Sequence, residues 1–272
     1  MIRVSGARNI RELICTYVPG FSPSDKGGEA SWAVRGVNDG LQKNTLILLN
    51  GHRINNMANF AATPDYSISL DKIKEIEVLR GSTPSVYGTN AFCSVVNIKT
   101  LTGEDMEGVE ARVSYGNHGQ FLANLMSGVH RNDLDFFVWG NIFSSSGSEV
   151  AMPDGHVQYV ERYRQKPCYD LGANLPWTGF NLIVSTFHGN RQQMGAYDYD
   201  YYPSKRFPMK NYGGYNEDLC PSIDGSMPGS PHLTWLIGAD YTKVLGKLTL
   251  SFEAKAAFND LAEYEAQYLD SS

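Results

Sequence analysis

Apolar and polar residues alternate with a period of two through the second half of the chain, which is the pattern of β-strands that have one apolar face. When each run is split by parity, the charged residues fall on one side and the large apolar residues on the other. The run 248–258 is the clearest, with Leu, Phe and Ala at its even positions and Thr, Ser, Glu and Lys at most odd ones. Seven runs are predicted as strands in this way: 109–116, 121–130, 134–144, 169–177, 180–188, 234–243 and 248–258.

The length of these runs indicates membrane-spanning strands. Most of them contain nine to eleven residues, which is the length that crosses a bilayer at a tilt of roughly 45°. Strands of a soluble β-sandwich are usually shorter, at about five or six residues. Aromatic residues near the strand ends, such as Tyr115, Trp177 and Trp235, suit the interfacial belts of a membrane protein. We therefore expect antiparallel strands whose apolar face meets lipid and whose polar face lines an interior.

The connections between these runs alternate in length, as they do in outer-membrane barrels with short periplasmic turns and long external loops. Short links lie at 131–133, 178–179 and 244–246, and long links lie at 145–168 and 189–233. The link at 117–120 is a short exception on the long side. The short turns and the end of the preceding domain are therefore expected on the periplasmic side.

The N-terminal part of the chain has a different, mixed α+β pattern. Residues 8–15 are predicted as a short amphipathic helix, because Ile10, Leu13 and Ile14 fall on one face. Two buried strands are predicted, one at 45–49 before an Asn50-Gly51 turn and one at 73–79. The predicted fold is thus an α+β domain at residues 1–103, followed at 104–272 by about seven antiparallel strands of a partial transmembrane β-barrel.

Composition and charge exclude several function classes. The net charge is −6 and the pI is about 5.5, with Lys and Arg scattered, so nucleic-acid binding has no support. No apolar run reaches the roughly eighteen residues of a transmembrane helix. Arginines and Glu12 interrupt the first thirty residues, which do not form a signal peptide. If the protein is exported, we expect its start to precede residue 1.

The sequence carries no motif of an enzyme or of a metal cluster. The patterns GxSxG, HExxH and Walker A are absent, and the four cysteines lack zinc-site spacing. No two histidines stand at a metal-ligand interval, so no catalytic residue, metal site or cofactor is predicted. A disulfide between Cys168 and Cys220 stays open.

Four stretches of the first domain resemble the plug domain of TonB-dependent outer-membrane receptors. They are RELICTYVPGF at 11–21, AVRGV at 33–37, LILLNGHRIN at 46–55 and IKEIEVLRGSTPSVYGTNAFCSVVNIKT at 73–100. The last stretch is the most specific, with an Ile-Glu-x-x-Arg-Gly strand, a Tyr-Gly turn and an Asn-Ile strand. It departs from the family pattern at Cys93 and Ser94, where small residues, usually glycines, are expected.

This resemblance implies a receptor in the bacterial outer membrane rather than an enzyme. In the family, the plug fills a lumen enclosed by about twenty-two strands, so seven strands imply a fragment of a longer protein. A ligand binds from outside, and a TonB-type energy-transducing protein pulls on the periplasmic end of the plug. The expected cargo is a ferric siderophore or a similar metal chelate; cobalamin, haem and glycans are alternatives, as is a non-transporting or adhesion barrel.

The resemblance also implies two groups of functional residues. Apical loops of the plug at 25–31 and 53–66 would face the ligand together with the long external loop at 189–233, where four alternating tyrosines supply amphipathic rings. Arg35 and Arg80, each before a Gly, would lock the plug by pairing with barrel acids outside this sequence. The candidate ligand-binding residues are Asn55, Asn56, Asn59, Phe60, Tyr197, Tyr199, Tyr201 and Tyr202. Asp198 and Asp200 are only a weak calcium signal, and a solvated loop is favoured there.

Overall fold

The fold was obtained as a computed structural model. It describes residues 2–24, 31–38, 42–56, 60–62, 65–81, 91–132, 134–151, 157–163, 167–192, 229–246 and 248–261. These residues form a small mixed sheet with one helix, and a larger antiparallel sheet whose one face lies against the first unit.

The N-terminal unit begins with a 3-10 turn at Ile2–Val4 and the helix α1 at Ile10–Tyr17. Asn9 caps the helix, because its side-chain oxygen accepts a hydrogen bond from the Glu12 backbone N at 2.9 Å. Ile10, Leu13 and Ile14 are buried, as the amphipathic pattern predicts. The helix begins and ends two residues later than the predicted range of 8–15.

Two sheets complete this unit. A hairpin-like pair joins β1 (Phe21–Ser24) to β2 (Ser31–Val34). A four-stranded sheet contains β3 (Thr45–Leu49), β4 (His52–Arg53), β5 (Ile73–Arg80) and β6 (Ser94–Thr100) in the order β4-β3-β6-β5. Strand β3 is parallel to β6, and the Asn50-Gly51 turn takes positive φ values of 48° and 86°.

The predicted burial is correct for β3 and wrong for β5. All five residues of β3 are buried, because this strand lies between β4 and β6 at the centre of the sheet. Strand β5 is an edge strand, and most of its side chains are partly or fully exposed, including Leu79 at 44%. Its apolar alternation was correct as a strand signal, but alternation does not show whether a strand lies at the centre or the edge of a sheet.

The larger sheet contains seven antiparallel strands, and every predicted run is one of them. The strands are neighbours in the sheet in the order in which they occur along the chain, and a separate hairpin at 146–162 interrupts the chain between the third and the fourth of them. The strands are β7 (Gly108–Tyr115), β8 (Phe121–Arg131), β9 (Leu134–Ser144), β12 (Cys168–Trp177), β13 (Phe180–Gln192), β14 (Gly229–Leu245) and β15 (Leu248–Leu261). The hairpin of β10 (Ser146–Ala151) and β11 (Val157–Arg162) lies within the stretch predicted as a long loop.

The two faces of the large sheet have the polarity that the alternation predicts. Large apolar residues of one parity are exposed, for example Val113 at 70%, Leu125 at 57% and Phe252 at 64%. Residues of the other parity, such as Asn124, Asn141 and Asp170, are buried against the N-terminal unit. A soluble sheet would show the reverse, so the exposed apolar face is the one suited to lipid.

The core of the N-terminal unit continues into the inner face of the large sheet. One cluster of buried side chains includes Ile14, Trp32 and Val96 from the first unit and Phe137 and Ile183 from the sheet. Ile183 and Phe187, which blur the alternation in the sequence, are buried here because they face the first unit instead of an aqueous interior.

The link between the two units packs closely against β8. A side chain at Gly103 would lie 2.3 Å from the Val129 carbonyl oxygen, and one at Gly128 would lie 1.9 Å from that of Met106. The predicted boundary at residue 103 falls in this link, between the end of β6 and the start of β7, and it stays a prediction. Among the described residues, no helix is long and apolar enough to span a membrane.

Candidate functional site

The centre of the contact between the two units is a buried ion pair. Lys72, just before β5, and Asp170, on the inner face of β12, are both fully buried, and Lys72 Nζ lies 2.6 Å from Asp170 Oδ2. The other Asp170 oxygen accepts hydrogen bonds from Lys72 Nζ and from Trp139 Nε1, each at 2.8 Å. The Ser69 backbone N also donates to Asp170, at 2.8 Å. The carboxylate is thus surrounded by donors from both units.

The inner face of the sheet is shaped to admit this pair. Gly172 and Trp139 are cross-strand partners, and a side chain at Gly172 would lie 2.3 Å from Trp139 Cζ2. The indole therefore lies flat over the glycine, where its ring is 4.8 Å from Lys72 Nζ and its N–H reaches Asp170. Burial lowers the pKa of Lys72, whereas the negative charge of Asp170 acts in the opposite direction by favouring the charged ammonium of Lys72.

Two further polar contacts surround the buried pair. Arg112 on β7 lies 2.6 Å from Asp71, next to Lys72, and its side chain is 46% exposed. Asn174 on β12 donates to Thr100 at the end of β6, at 3.4 Å. Both join the N-terminal unit to the sheet through residues on the polar parity of the strands.

A cavity of about 310 Å³ lies beside these contacts, between the N-terminal segment and β7 to β9. Its lining includes Arg8, Tyr66, Asp71, Arg112 and Phe143. Tyr66 stacks on Phe143 with ring centroids 4.0 Å apart, which makes the cavity wall aromatic on one side and charged on the other. Next to Tyr66, burial raises the pKa of Asp65.

The loop after β4 contains four of the predicted ligand-binding residues, of which Asn55, Asn56 and Phe60 are among the described residues. The Asn55 side chain is 2% exposed, accepts from the Ile47 N at 2.7 Å and donates to the carbonyls of Thr45 and Phe60. Asn56 is nearly buried, and its backbone carbonyl accepts from the Phe60 N at 2.9 Å. Asn55 therefore organises this loop, and a contact with a ligand stays a prediction for both asparagines.

Phe60 is the exposed member of this group. Its ring is 38% exposed, its φ is 62°, and the Arg53 guanidinium lies over it at 5.1 Å from the centroid. Burial lowers the pKa of Arg53. The predicted residues Asn59, Tyr197, Tyr199, Tyr201 and Tyr202 lie outside the described residues, as does Cys220 of the open disulfide.

The two predicted locking arginines are exposed and lie near the same turn. Arg80 Nη1 donates to the Pro19 carbonyl at 3.0 Å, and the Arg35 backbone N donates to the Gly20 carbonyl at 2.8 Å. Arg80 thus bonds to the backbone within the N-terminal unit, and pairing of either arginine with barrel acids stays a prediction. Among the described residues, the buried cation that joins the two units is Lys72.

Sequence reasoning missed this Lys72–Asp170 pair. Asp170 falls on the polar parity of the predicted strand at 169–177. An acid on the buried inner face of a sheet needs a partner, which is the signal that could have indicated the pair. The pairing itself joins residues 98 positions apart, so no local pattern identifies Lys72.

Comparison with known proteins agrees with this geometry. Residues 1–95 match the family described as the TonB-dependent receptor plug domain. A vitamin B12 transporter, BtuB of Vibrio vulnificus (strain CMCP6), is 28% identical over 267 residues, covering 93% of this chain and 40% of that protein. The rhizobactin receptor of Rhizobium meliloti (strain 1021) is 30% identical over 120 residues, covering 43% of this chain and 15% of that protein.

A solved structure extends the likeness beyond the plug. The siderophore receptor PirA of Acinetobacter baumannii aligns with a TM-score of 0.63 at 16% identity, covering 95% of this chain and 38% of that one. The chain thus spans less than half the length of these proteins, and the shared fold includes both the plug and the barrel strands. Residues 1–95 therefore match the plug domain of TonB-dependent receptors, which are outer-membrane proteins, and the chain shares the fold of a solved receptor of this kind.

Proposed function

We propose that this chain forms the plug and the first barrel strands of an energy-coupled uptake receptor for a ferric siderophore or a similar metal chelate. The observation that carries the proposal is a plug domain held against the polar inner face of barrel strands by the buried Lys72–Asp170 pair. A plug in this position closes the route through a barrel, so uptake requires that the plug be moved. A TonB-type protein acting from the periplasm would supply the force.

The loop after β4 supports a chelate as the ligand. It presents a partly exposed aromatic ring, Phe60, below the guanidinium of Arg53. An anionic chelate with aromatic groups would find both a cation and a stacking surface there. The tyrosines of the 189–233 loop would add further rings from the barrel side, as the sequence predicts.

Cobalamin is the second candidate ligand. It is favoured by one specific observation, the 28% identity across 93% of the chain with a protein named as a vitamin B12 transporter. The relative named as a rhizobactin receptor favours the siderophore, but it matches only 43% of the chain.

Uptake by the complete receptor tests both candidates. The receptor would be expressed in cells that lack their own siderophore and cobalamin receptors, and import of radiolabelled ferric siderophores and of radiolabelled cobalamin would be measured with and without the TonB-type partner. We expect partner-dependent import of a ferric siderophore. Import of cobalamin alone would favour the second candidate, and import of neither would support a non-transporting barrel.

Ligand affinity tests the residues. Replacing Phe60, Tyr199 or Tyr201 by Ala is expected to weaken binding to cells by about 1–3 kcal/mol, as removal of an aromatic hot spot does. Tyr17→Ala is the matched control, because Tyr17 is an exposed plug tyrosine at 52% that lies outside the loop. Equal affinity of the Phe60 variant and the control would remove this loop from the ligand site.

A further inference from the structure

A second polar cluster joins the plug to the barrel wall, which is the seven-stranded sheet of β7 to β9 and β12 to β15. The cluster contains three side chains of types that can bind metals. His52 lies on β4 directly after the Asn50-Gly51 turn, and Asp240 on β14 and Glu253 on β15 are cross-strand partners. His52 Nε2 is 3.0 Å from Asp240 Oδ2, and His52 Nδ1 is 3.7 Å from Glu253 Oε1. One ligand atom of each residue lies within 4.8 Å of the other two.

The imidazole of His52 is buried but incompletely bonded. Its side chain is 1% exposed, and its Nδ1 has no hydrogen-bond partner among the described residues. Buried polar atoms are nearly always hydrogen-bonded, so an orphaned ring nitrogen that faces a carboxylate indicates a missing partner. The carboxylates provide access from solvent, because the Asp240 and Glu253 side chains are 36% and 67% exposed.

The barrel wall is shaped around this ring. Gly238 precedes Asp240 by two residues, so it lies on the same inner face of β14. A Cβ at Gly238 would lie 2.4 Å from both Cδ2 and Nε2 of His52. The glycine therefore lets the imidazole reach the strand backbone, where its Nε2 meets Asp240. Beside it, the Lys255 ammonium donates to the Arg53 carbonyl and ties the same plug turn to β15.

We propose that His52 Nδ1 and Glu253 bind a divalent metal ion of the Zn²⁺ type, which joins the plug to the barrel wall, while Asp240 accepts a hydrogen bond from the other ring nitrogen and orients the imidazole. A neutral imidazole and a carboxylate are ordinary ligands for such an ion, at bond lengths of about 2.0–2.2 Å, and water would complete its coordination. The Glu253 side chain is long and exposed, so it can turn its carboxylate to the ion without moving β15. The proposal departs from the prediction of no metal site, and it is independent of which nutrient is imported.

The sequence could not indicate this site because its residues are far apart in the chain. His52 and Asp240 are separated by 188 positions, and no two of the three residues have a recognised metal-site spacing. The alternative without a metal is a set of direct polar contacts between the imidazole and the two carboxylates.

Titration of the purified, detergent-solubilised protein with Zn²⁺ against a chromophoric chelator tests the proposal. We expect one bound ion per chain. Each of His52→Gln, Asp240→Asn and Glu253→Gln should weaken binding by at least the roughly 10–100-fold that loss of even an outer partner costs. Co²⁺ in place of Zn²⁺ should give a ligand-field absorption that disappears in the same variants.

The control is His130→Gln. His130 Nδ1 is also buried without a hydrogen-bond partner and lies 3.6 Å from Asp135, but no third His, Cys, Asp or Glu joins this pair in the described part of the chain. Zn²⁺ affinity should be unchanged in this variant. Because Glu253 is largely exposed, Glu253→Gln is expected to fold normally, and unchanged Zn²⁺ affinity in that variant would overturn the proposal. Absence of stoichiometric binding by the unmodified protein would overturn it as well, leaving only the direct contacts between the imidazole and the carboxylates.

Discussion

At the scale of single residues, the plug is held by charges that are costly to bury. Removing Lys72 from water lowers its pKa and disfavours its charged form, so the pair is stable only while both partners are present. Asp170 receives donors from Lys72, Trp139 and the Ser69 backbone, which satisfies both of its oxygens. This arrangement fixes where the plug sits on the wall, because Ser69 and Lys72 belong to the plug whereas Asp170 and Trp139 belong to the wall.

Removing one partner of this pair should destabilise the contact strongly. We expect Asp170→Asn or Lys72→Met to lower the free energy of unfolding by about 3–5 kcal/mol, because each leaves an uncompensated or underbonded buried group. The double variant Lys72→Met with Asp170→Asn should lose less stability than the sum of the two single variants, because neither group is then left as a lone buried charge. Denaturant unfolding in detergent, with protease cleavage of the plug as a second signal, measures the effect.

Lys74→Met serves as the control for that experiment. Lys74 pairs with Asp105 at 2.7 Å, but its side chain is 49% exposed. An exposed pair contributes about 0–1 kcal/mol, so this variant should unfold close to the unmodified protein. If Lys72→Met and Lys74→Met unfolded alike, the buried pair would have no special role in seating the plug.

At the scale of elements, each strand of the wall has two faces with different demands. The outer face repeats large apolar residues, whereas the inner face must match the plug, so it mixes polar residues with glycines at points of close approach. Gly172 admits the Trp139 ring, and Gly238 admits the His52 ring. Glycine occurs at these inner positions because a neighbouring side chain occupies the space of a Cβ.

A methyl group at Gly172 should therefore disturb the wall. We expect Gly172→Ala to destabilise by about 1–3 kcal/mol, as overpacking does, because its Cβ would displace the indole from Asp170. Gly140→Ala is the control on the outer face, where the Cβ would lie 3.3 Å from the mobile end of Leu171 and change stability little. Thermal unfolding of both variants measures the loss of stability, and Trp fluorescence of Gly172→Ala reports a displaced indole. Equal melting temperatures would show that the indole moves aside without loss of stability.

At the scale of the whole molecule, the polarity is inverted relative to a soluble protein. Large apolar residues face outward on the wall, while buried polar residues face the plug. In lipid, the backbone N–H and C=O groups of every strand must be hydrogen-bonded to neighbouring strands. The seven strands of the described sheet bond to each other in this way, apart from the outer edges of β7 and β15.

A charge on the outer face should be tolerated poorly in the complete receptor. Phe252 is 64% exposed on the apolar parity of β15, and we expect Phe252→Arg to cost up to about 2–4 kcal/mol in the bilayer. Ser251→Arg lies on the opposite parity and should cost much less. Reversible folding into lipid vesicles measures both, and an equal cost for the two variants would contradict the assignment of the lipid-facing side.

Local patterns in the sequence predict the seven strands of the wall, the two faces of each strand and the plug motifs. Those signals are local: alternation over about ten residues, a helix stripe and turn residues such as Asn50-Gly51, each of which reports its own segment. The tertiary structure decided the exposed edge position of β5, the Lys72–Asp170 pair and the cluster of His52, Asp240 and Glu253. The ion pair joins residues 98 positions apart, and His52 is 188 positions from Asp240. Their distances depend on how the plug sits on the wall, which no local pattern encodes.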